Sequence, residues 1–372
     1  MPQPSEQILV RGVNWLGDAV MTTPALRRLR EAKPSARITL FTHEKLAGLW
    51  TGQPFIDEVM TFSNADNPWQ VSRRVRERNF TCAVVFPNSI RSALELWLAR
   101  IPRRIGFARP GRGLFLTDAL PPRRDAVPMR KRSVAEIRRL IATNAPPETI
   151  PAAANHIHDY LFLTAALGAS ATPIAPRIFV TDQQTAALCQ KLHLENASAE
   201  RPWFGLNPGA EYGPAKRWPA NRFAAAAVIL QKHAHCRWLI FGGPGDVASA
   251  EKITAEICHG GGAPGDVLNL AGKTTLNELA AALKMCRLVL SNDTGPMHLA
   301  AAVGTPVVVP FGSTSPELTA PVFSAPVKIV RVPVPCAPCF RRECPIDLRC
   351  LEEIKITQVV SAATEILGES AG

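Results

Sequence analysis

Asp18 stands at the joint of "ILVRGVNWLGDAVMTTPALRRLR", Ile8 to Arg30, where an apolar run gives way to an amphipathic helical pattern. A carboxylate at such a joint has two uses. It accepts backbone N–H bonds in the first helical turn, where its charge suits the positive end of the helix dipole, or it takes a proton from an attacking hydroxyl. Two further joints carry chemically capable side chains. In "SNDTGPMHLAAAVGTP", Ser291 to Pro306, the amides of Thr294 and Gly295 open a helix and suit a phosphate, and Gly295 lets the backbone come close. Asp293 cannot favour a phosphate, so its carboxylate is expected to accept from hydroxyls, as on a sugar, with His298 one turn further along. In "LNPGAEYGPAKRWP", Leu206 to Pro219, Pro208 and Gly209 turn the chain, and Lys216 and Arg217 follow as cations able to clamp a diphosphate and stabilise its departure. Trp218 and Pro219 read as packing residues.

These joints need strands before them and helices after them. The pattern predicts strands over Gln7–Arg11, Arg37–Thr42, Glu58–Phe62, Cys82–Phe86 and Arg104–Phe107 in the first half. In the second it predicts Trp203–Leu206, Arg237–Phe241, Val267–Leu270, Arg287–Ser291 and Pro306–Pro310. Helical spacing recurs between them, as in "SIRSALELWLA", where Ile90, Leu94, Trp97 and Leu98 share a face. Such alternation is the mark of parallel sheets covered by helices. The stretch "GASATPIAPRI" reads as a linker, which divides the chain into domains over 1–172 and 173–355 with a C-terminal helix over 356–372. Ligands of open α/β sheets sit beyond the carboxyl ends of the strands. The two sheets are therefore expected to face each other across a central cleft.

A chain of 372 residues with 47% hydrophobic and 20% charged side chains suits two folded domains. No apolar run approaches the roughly 20 residues of a membrane span. The N-terminus "MPQPSEQILV" lacks the features of a secretory signal, so a cytoplasmic location is expected, with the nine cysteines mostly reduced. The net charge of +11 is concentrated: Arg100 to Arg139 holds twelve basic residues against three acidic ones, a net +9. An anionic partner is implied. Nucleic acid fits least well, because aromatic residues do not interleave with the basic run as a stacking platform requires. "CAPCFRRECPIDLRC" places Cys336, Cys339, Cys344 and Cys350 close enough in sequence to suggest a structural zinc or iron–sulfur site, against the alternative of free thiols. The dinucleotide fingerprint, the Walker A pair and the nucleophile elbow are all missing.

The words "NWLGDAVMTTPALRRLR", "FPNSIRSALELWLARIPRRIGF", "NPGAEYGPAKRWP" and "SNDTGPMHLAAAVGTPVVVPFGSTSPELTAP" span most of the chain. Together they resemble the ADP-heptose:lipopolysaccharide heptosyltransferases, glycosyltransferase family 9, and within it the heptosyltransferase II group. The resemblance implies a GT-B fold, two Rossmann-like parallel-sheet domains, and inverting transfer of heptose from ADP-heptose to the first heptose of the inner core. It makes Asp18 the general base, Lys216 a diphosphate ligand, Thr294 and Gly295 phosphate ligands and Asp293 a heptose ligand. His298, Gly209 and Arg217 join them on the donor side, with Asp246 toward the ribose and Thr274 and Leu276 toward the adenine. Gly17, Asn88, Ser89, Arg91 and Arg104 are the acceptor-side candidates. The acceptor implied is heptosyl-Kdo2-lipid A, an anionic glycolipid that would bring the enzyme to the periphery of the inner membrane and give the basic run a partner. No cofactor is required beyond the ADP-heptose co-substrate. Other readings stay open from the residues: a heptosyltransferase I-like enzyme or another nucleotide sugar, a sugar-nucleotide epimerase, or a non-catalytic protein binding anionic glycolipid.

Overall fold

The computed structural model describes residues 6–194, 200–263, 265–323 and 325–369. The expected C-terminal helix is present as Ile356–Glu369; residues 370–372 of that expectation and residues 1–5 of the N-terminal stretch lie outside the described residues. Two compact units form: one holds residues through Ala126 with Ala153–Phe179, the other Val127–Ala152 with the residues from Val180 onward. Residues 127–152, assigned to the first domain by the linker reading, thus pack with the second unit. Arg132 N–H donates to the Cys339 carbonyl at 3.1 Å, and Ile137 enters that unit's core. The linker-like stretch packs on the first unit instead, where the Arg27 side chain donates to Ala175 O at 3.0 Å and Arg177 N–H to Thr23 Oγ1 at 3.0 Å.

The first sheet contains β1 (Gln7–Arg11), β2 (Arg37–His43), β3 (Glu58–Phe62), β4 (Cys82–Val85), β5 (Arg103–Phe107) and β6 (Asp118–Leu120), in the order β3-β2-β1-β4-β5-β6. The second contains β7 (Trp203–Asn207), β8 (Arg237–Ile240), β9 (Val267–Asn269), β10 (Cys286–Ser291), β11 (Val307–Pro310) and β12 (Val327–Val330), in the order β12-β11-β10-β7-β8-β9. All pairings are parallel. Counted within each unit, both follow the same doubly wound order, 3-2-1-4-5-6. The central strands β1, β4, β7 and β10 are almost wholly buried, as strands covered on both faces must be. Strand order reverses between β1 and β4 and between β7 and β10. The carboxyl ends of those two pairs are where such sheets bind ligands.

Candidate functional site

The first switch point gathers Gly17, Asp18, Asn88 and Ser89. β1 runs through Gly12–Trp15 into the helix Leu16–Met21, and β4 runs through Phe86–Ser89 into the helix Ile90–Leu98. Trp15, not Asp18, is the N-cap of the first helix, and its side chain makes no capping bond. Asp18 occupies the first turn, half-buried. Its charge acts on the buried Tyr160 phenol, whose ring lies edge-on to Phe86 at 5.2 Å. Burial foremost, and then Asp18, pushes that phenol well above its ordinary pKa. Tyr160 arrives on the helix Ile157–Ala165 and has no signature in the sequence beyond an apolar helical pattern.

Beneath this switch point the two loops are tied together. The buried Arg11 at the end of β1 meets the buried Glu95 at 3.3 Å, lies over the Phe62 ring at 3.8 Å and donates to Gly12 O at 2.9 Å. Burial lowers the pKa of this guanidinium despite Glu95. Arg91 closes on the other Glu95 oxygen at 2.8 Å and also donates to Asp66 O. Arg112 is fully buried; its guanidinium donates to Pro87 O at 2.7 Å, Ser89 O at 3.2 Å and Phe107 O, so it fixes the loop that presents Asn88 and Ser89. Arg104 is not brought to this edge. It sits at the amino end of β5, its guanidinium bound to the carbonyls of Ile101, Pro102 and Phe115 at 2.8 Å from the last, so its part is to hold that turn.

The second switch point assembles more tightly. Lys216 Nζ lies 2.7 Å from Asp293 Oδ2, and that oxygen also accepts from Thr314 Oγ1. Asp293 is only 3% exposed and Lys216 13%. The loops that carry them are stapled by Asn292: Trp218 N–H donates to its Oδ1 at 2.9 Å, and its Nδ2 donates to Pro208 O at 2.7 Å. Trp218 is itself buried against Phe223. Thr294 caps the helix Gly295–Ala302 without a side-chain bond; Pro296 has no N–H and Met297 N–H donates to Thr294 O at 3.1 Å, so the Thr294 and Gly295 amides are the ones at the opening of the helix, next to Asp293 in the chain. Thr314 was not singled out by the sequence. It follows β11 in "GSTS", where hydroxyls read as turn residues, and it is fixed by Cys339 and Phe340, whose N–H groups donate to Ser313 O at 3.0 and 2.8 Å.

Asp246 follows β8 and abuts the turn at Gly209: its Oδ2 accepts from Gly243 N–H at 3.0 Å, and a Cβ at Gly209 would stand 2.4 Å from that oxygen. A side chain at Gly209 would have to displace the Asp246 carboxylate. Arg217 is exposed, 3.8 Å from Asp246 Oδ1, with one nitrogen donating to Ala210 O at 3.2 Å. Thr274 and Leu276 follow β9, one strand further from the switch point, at a helix start that Thr275 and Glu278 close as a capping box.

His298 is buried beside this cluster. Burial lowers its pKa to about 4; Asp293 works against that shift and Lys216 with it. The ring is therefore neutral at neutral pH. As pH falls from about 6.5 to about 4, the unfolded chain binds a proton that the folded chain refuses, so stability falls with pH across that window. The wild type is expected to lose up to about 3 kcal/mol there from this group. His298→Gln removes that part of the slope, which melting temperatures measured across the window would reveal.

The four cysteines, whose spacing raised the alternative of a metal site beside that of free thiols, do not converge as one. Among the described residues no group of three or more His, Cys, Asp or Glu side chains converges to hold a metal ion. Cys336, Cys339, Cys344 and Cys350 instead line a small cavity with Ile137 and Ala215 and belong largely to the core of the second unit. Burial pushes the Cys336 and Cys339 thiols up, and that of Cys350 to about 12, so they stay protonated. Their segment buttresses the Lys216 loop: Ala215 N–H donates to Arg342 O at 2.9 Å, and Tyr212 OH to Phe340 O at 2.8 Å.

The basic run is also broken up. Arg100–Arg124 lies in the first unit and Arg130–Arg139 in the second. Arg103, Arg123 and Arg130 pair with Asp118, Asp159 and Glu136, and the buried Arg132 pairs with Glu148. At the carboxyl end of β5 the exposed Arg109 remains, three residues before Arg112, whose guanidinium reaches Ser89 O.

Two doubly wound sheets with polar side chains gathered at each switch point define the GT-B class of α/β proteins. Residues 69–349, well over half of the chain, match glycosyltransferase family 9 (heptosyltransferase). The chain is 31% identical over 323 residues to a lipooligosaccharide heptosyltransferase 2 of Haemophilus ducreyi, covering 85% of this chain and 86% of that protein. It is 29% identical over 339 residues to a lipopolysaccharide heptosyltransferase 2 of Salmonella typhimurium, covering 88% of each. The solved Escherichia coli ADP-heptose lipopolysaccharide heptosyltransferase II superposes with a TM-score of 0.76 at 25% identity, over 98% of this chain and 100% of that one. The chain belongs to glycosyltransferase family 9, the heptosyltransferases.

Proposed function

We propose that this enzyme transfers heptose from ADP-heptose to the first heptose of the lipopolysaccharide inner core, with inversion, as a heptosyltransferase II. The observation that carries the donor half is the Lys216–Asp293–Thr314 cluster at the β7/β10 switch point, beside an open helix N-terminus. Lys216 places a cation where the diphosphate leaves, the Thr294 and Gly295 amides receive phosphate oxygens, and Asp293 accepts from sugar hydroxyls. Asp18 takes the proton of the acceptor hydroxyl as its oxygen bonds to the anomeric carbon and the bond from that carbon to the diphosphate oxygen breaks. The product is the extended glycolipid plus ADP. The relatives' names support the donor and the acceptor class. Heptosyl-Kdo2-lipid A as acceptor gives the cation at Arg109 an anionic partner and would bring the enzyme to an anionic membrane surface. Among the described residues no helix is long and apolar enough to cross a membrane.

Calorimetry with ADP-, UDP- and GDP-sugars tests the donor: tight binding of the ADP-sugar alone is expected, and preference for UDP would overturn it. On the acceptor side, Arg109→Glu is expected to raise acceptor KM by roughly fivefold at low salt and less at high salt. Arg103→Glu, whose cation already pairs with Asp118, serves as the control and is expected to leave acceptor KM unchanged.

A further inference from the structure

Most of the large apolar side chains exposed on the first unit cluster around one helix. Ile90 and Trp97 lie seven positions apart on the helix Ile90–Leu98, hence on one face, and are 49% and 46% exposed. Leu114, 82% exposed, stands on the 3-10 turn Gly113–Phe115 beside them. The patch is continuous: Trp97 packs edge-on against Phe115 at 5.7 Å, and a Cβ at Gly111 would touch Ile90 at 3.5 Å. Between residues 87 and 115 there are six arginines and one acidic residue, Glu95. Glu95 is buried and held by Arg11 and Arg91. Arg103 pairs with Asp118 and Arg112 is buried, so the exposed apolar tips stand in a rim that stays cationic in net through the exposed Arg100 at one end of the helix and Arg109 at the other.

We propose that this face docks on a bilayer carrying anionic phospholipid headgroups, with Trp97, Ile90 and Leu114 entering the interface and the arginines meeting lipid phosphates. Trp at a headgroup boundary, flanked by Arg and short aliphatic tips, is the side-chain set an anionic lipid surface selects. A second copy of the chain fits poorly, because two such faces would bring their arginine rims together. The helix begins one residue after Ser89, so docking sets the acceptor-side loop at the membrane surface. This deepens the glycolipid reading above and rests on it for its purpose, not for its chemistry.

The test is flotation of the full chain with phosphatidylcholine vesicles and with vesicles in which part of that lipid is replaced by phosphatidylglycerol. Binding to the anionic vesicles alone, weakened by salt, is expected. Trp97→Ser combined with Leu114→Ser should weaken it by about tenfold or more, with melting temperature unchanged. Ile229→Gln, an equally exposed apolar site on the second unit, should leave it unchanged. Equal binding to neutral vesicles, no vesicle binding, or a double variant that binds like wild type would each overturn the proposal, as would a loss of dimer mass in the double variant. Turnover of a lipid-free acceptor oligosaccharide separates the two readings. The double variant should keep it, whereas its absence in wild type that still floats with anionic vesicles would sink the transferase reading and leave docking intact.

Discussion

Asp18→Asn is expected to lower kcat by about 10²–10⁴-fold, the usual contribution of a general base, with donor Kd and melting temperature preserved. The structure sharpens the contrast with a capping role. Trp15 holds the N-cap position and Asp18 stands in the first turn, so the carboxylate's helical contribution is a dipole interaction of about 0.3–1 kcal/mol. Asparagine keeps the shape and loses that charge–dipole interaction. A kcat within a few-fold of wild type would show that Asp18 only helps to start its helix.

Lys216→Met should be the most damaging change on the donor side. It removes the cation nearest the proposed diphosphate position and leaves the Asp293 carboxylate, 3% exposed, accepting from the Thr314 hydroxyl without a counter-charge at that oxygen. Breaking a buried pair in this way costs about 3–5 kcal/mol, and donor affinity and kcat should both fall. Stability and chemistry are separable by the double variant Lys216→Met with Asp293→Asn. The neutral amide still meets the Thr314 hydroxyl, so much of the melting temperature should return while donor binding stays weak. Recovery of both together would mean that Lys216 serves the fold alone.

Alternation of short apolar strands with helical patterns carried most of the architecture, because strands buried on both faces read as continuous Val, Ile and Leu runs. β6 and β12 escaped: they are edge strands of three and four residues, and "DAL" has no β-branched residue to mark it. Asp18, Lys216 and Asp293 were legible because each follows a central strand, and topology then brings those strand ends to the two switch points. Thr314 and Tyr160 were not. Their partners lie 21 and more than a hundred residues away in sequence, and only tertiary packing joins them. The basic run is not one surface, for the opposite reason: neighbours in sequence went to different units and to different carboxylates. Arg104 shows this most plainly, since charge counting cannot say which end of a strand a side chain occupies. The four cysteines likewise sit close along the chain, yet Cys336, Cys339 and Cys350 belong to an apolar core, and it is the backbone of their segment that supports the Lys216 loop.

The most direct test of inverting heptosyl transfer is the anomeric configuration of the product made from ADP-heptose and an inner-core acceptor, read by NMR of the new glycosidic linkage alongside ADP release. One ADP per linkage formed, with configuration opposite to that of the donor, is the expected result. Retained configuration, or ADP release without a new linkage, would contradict direct displacement assisted by Asp18.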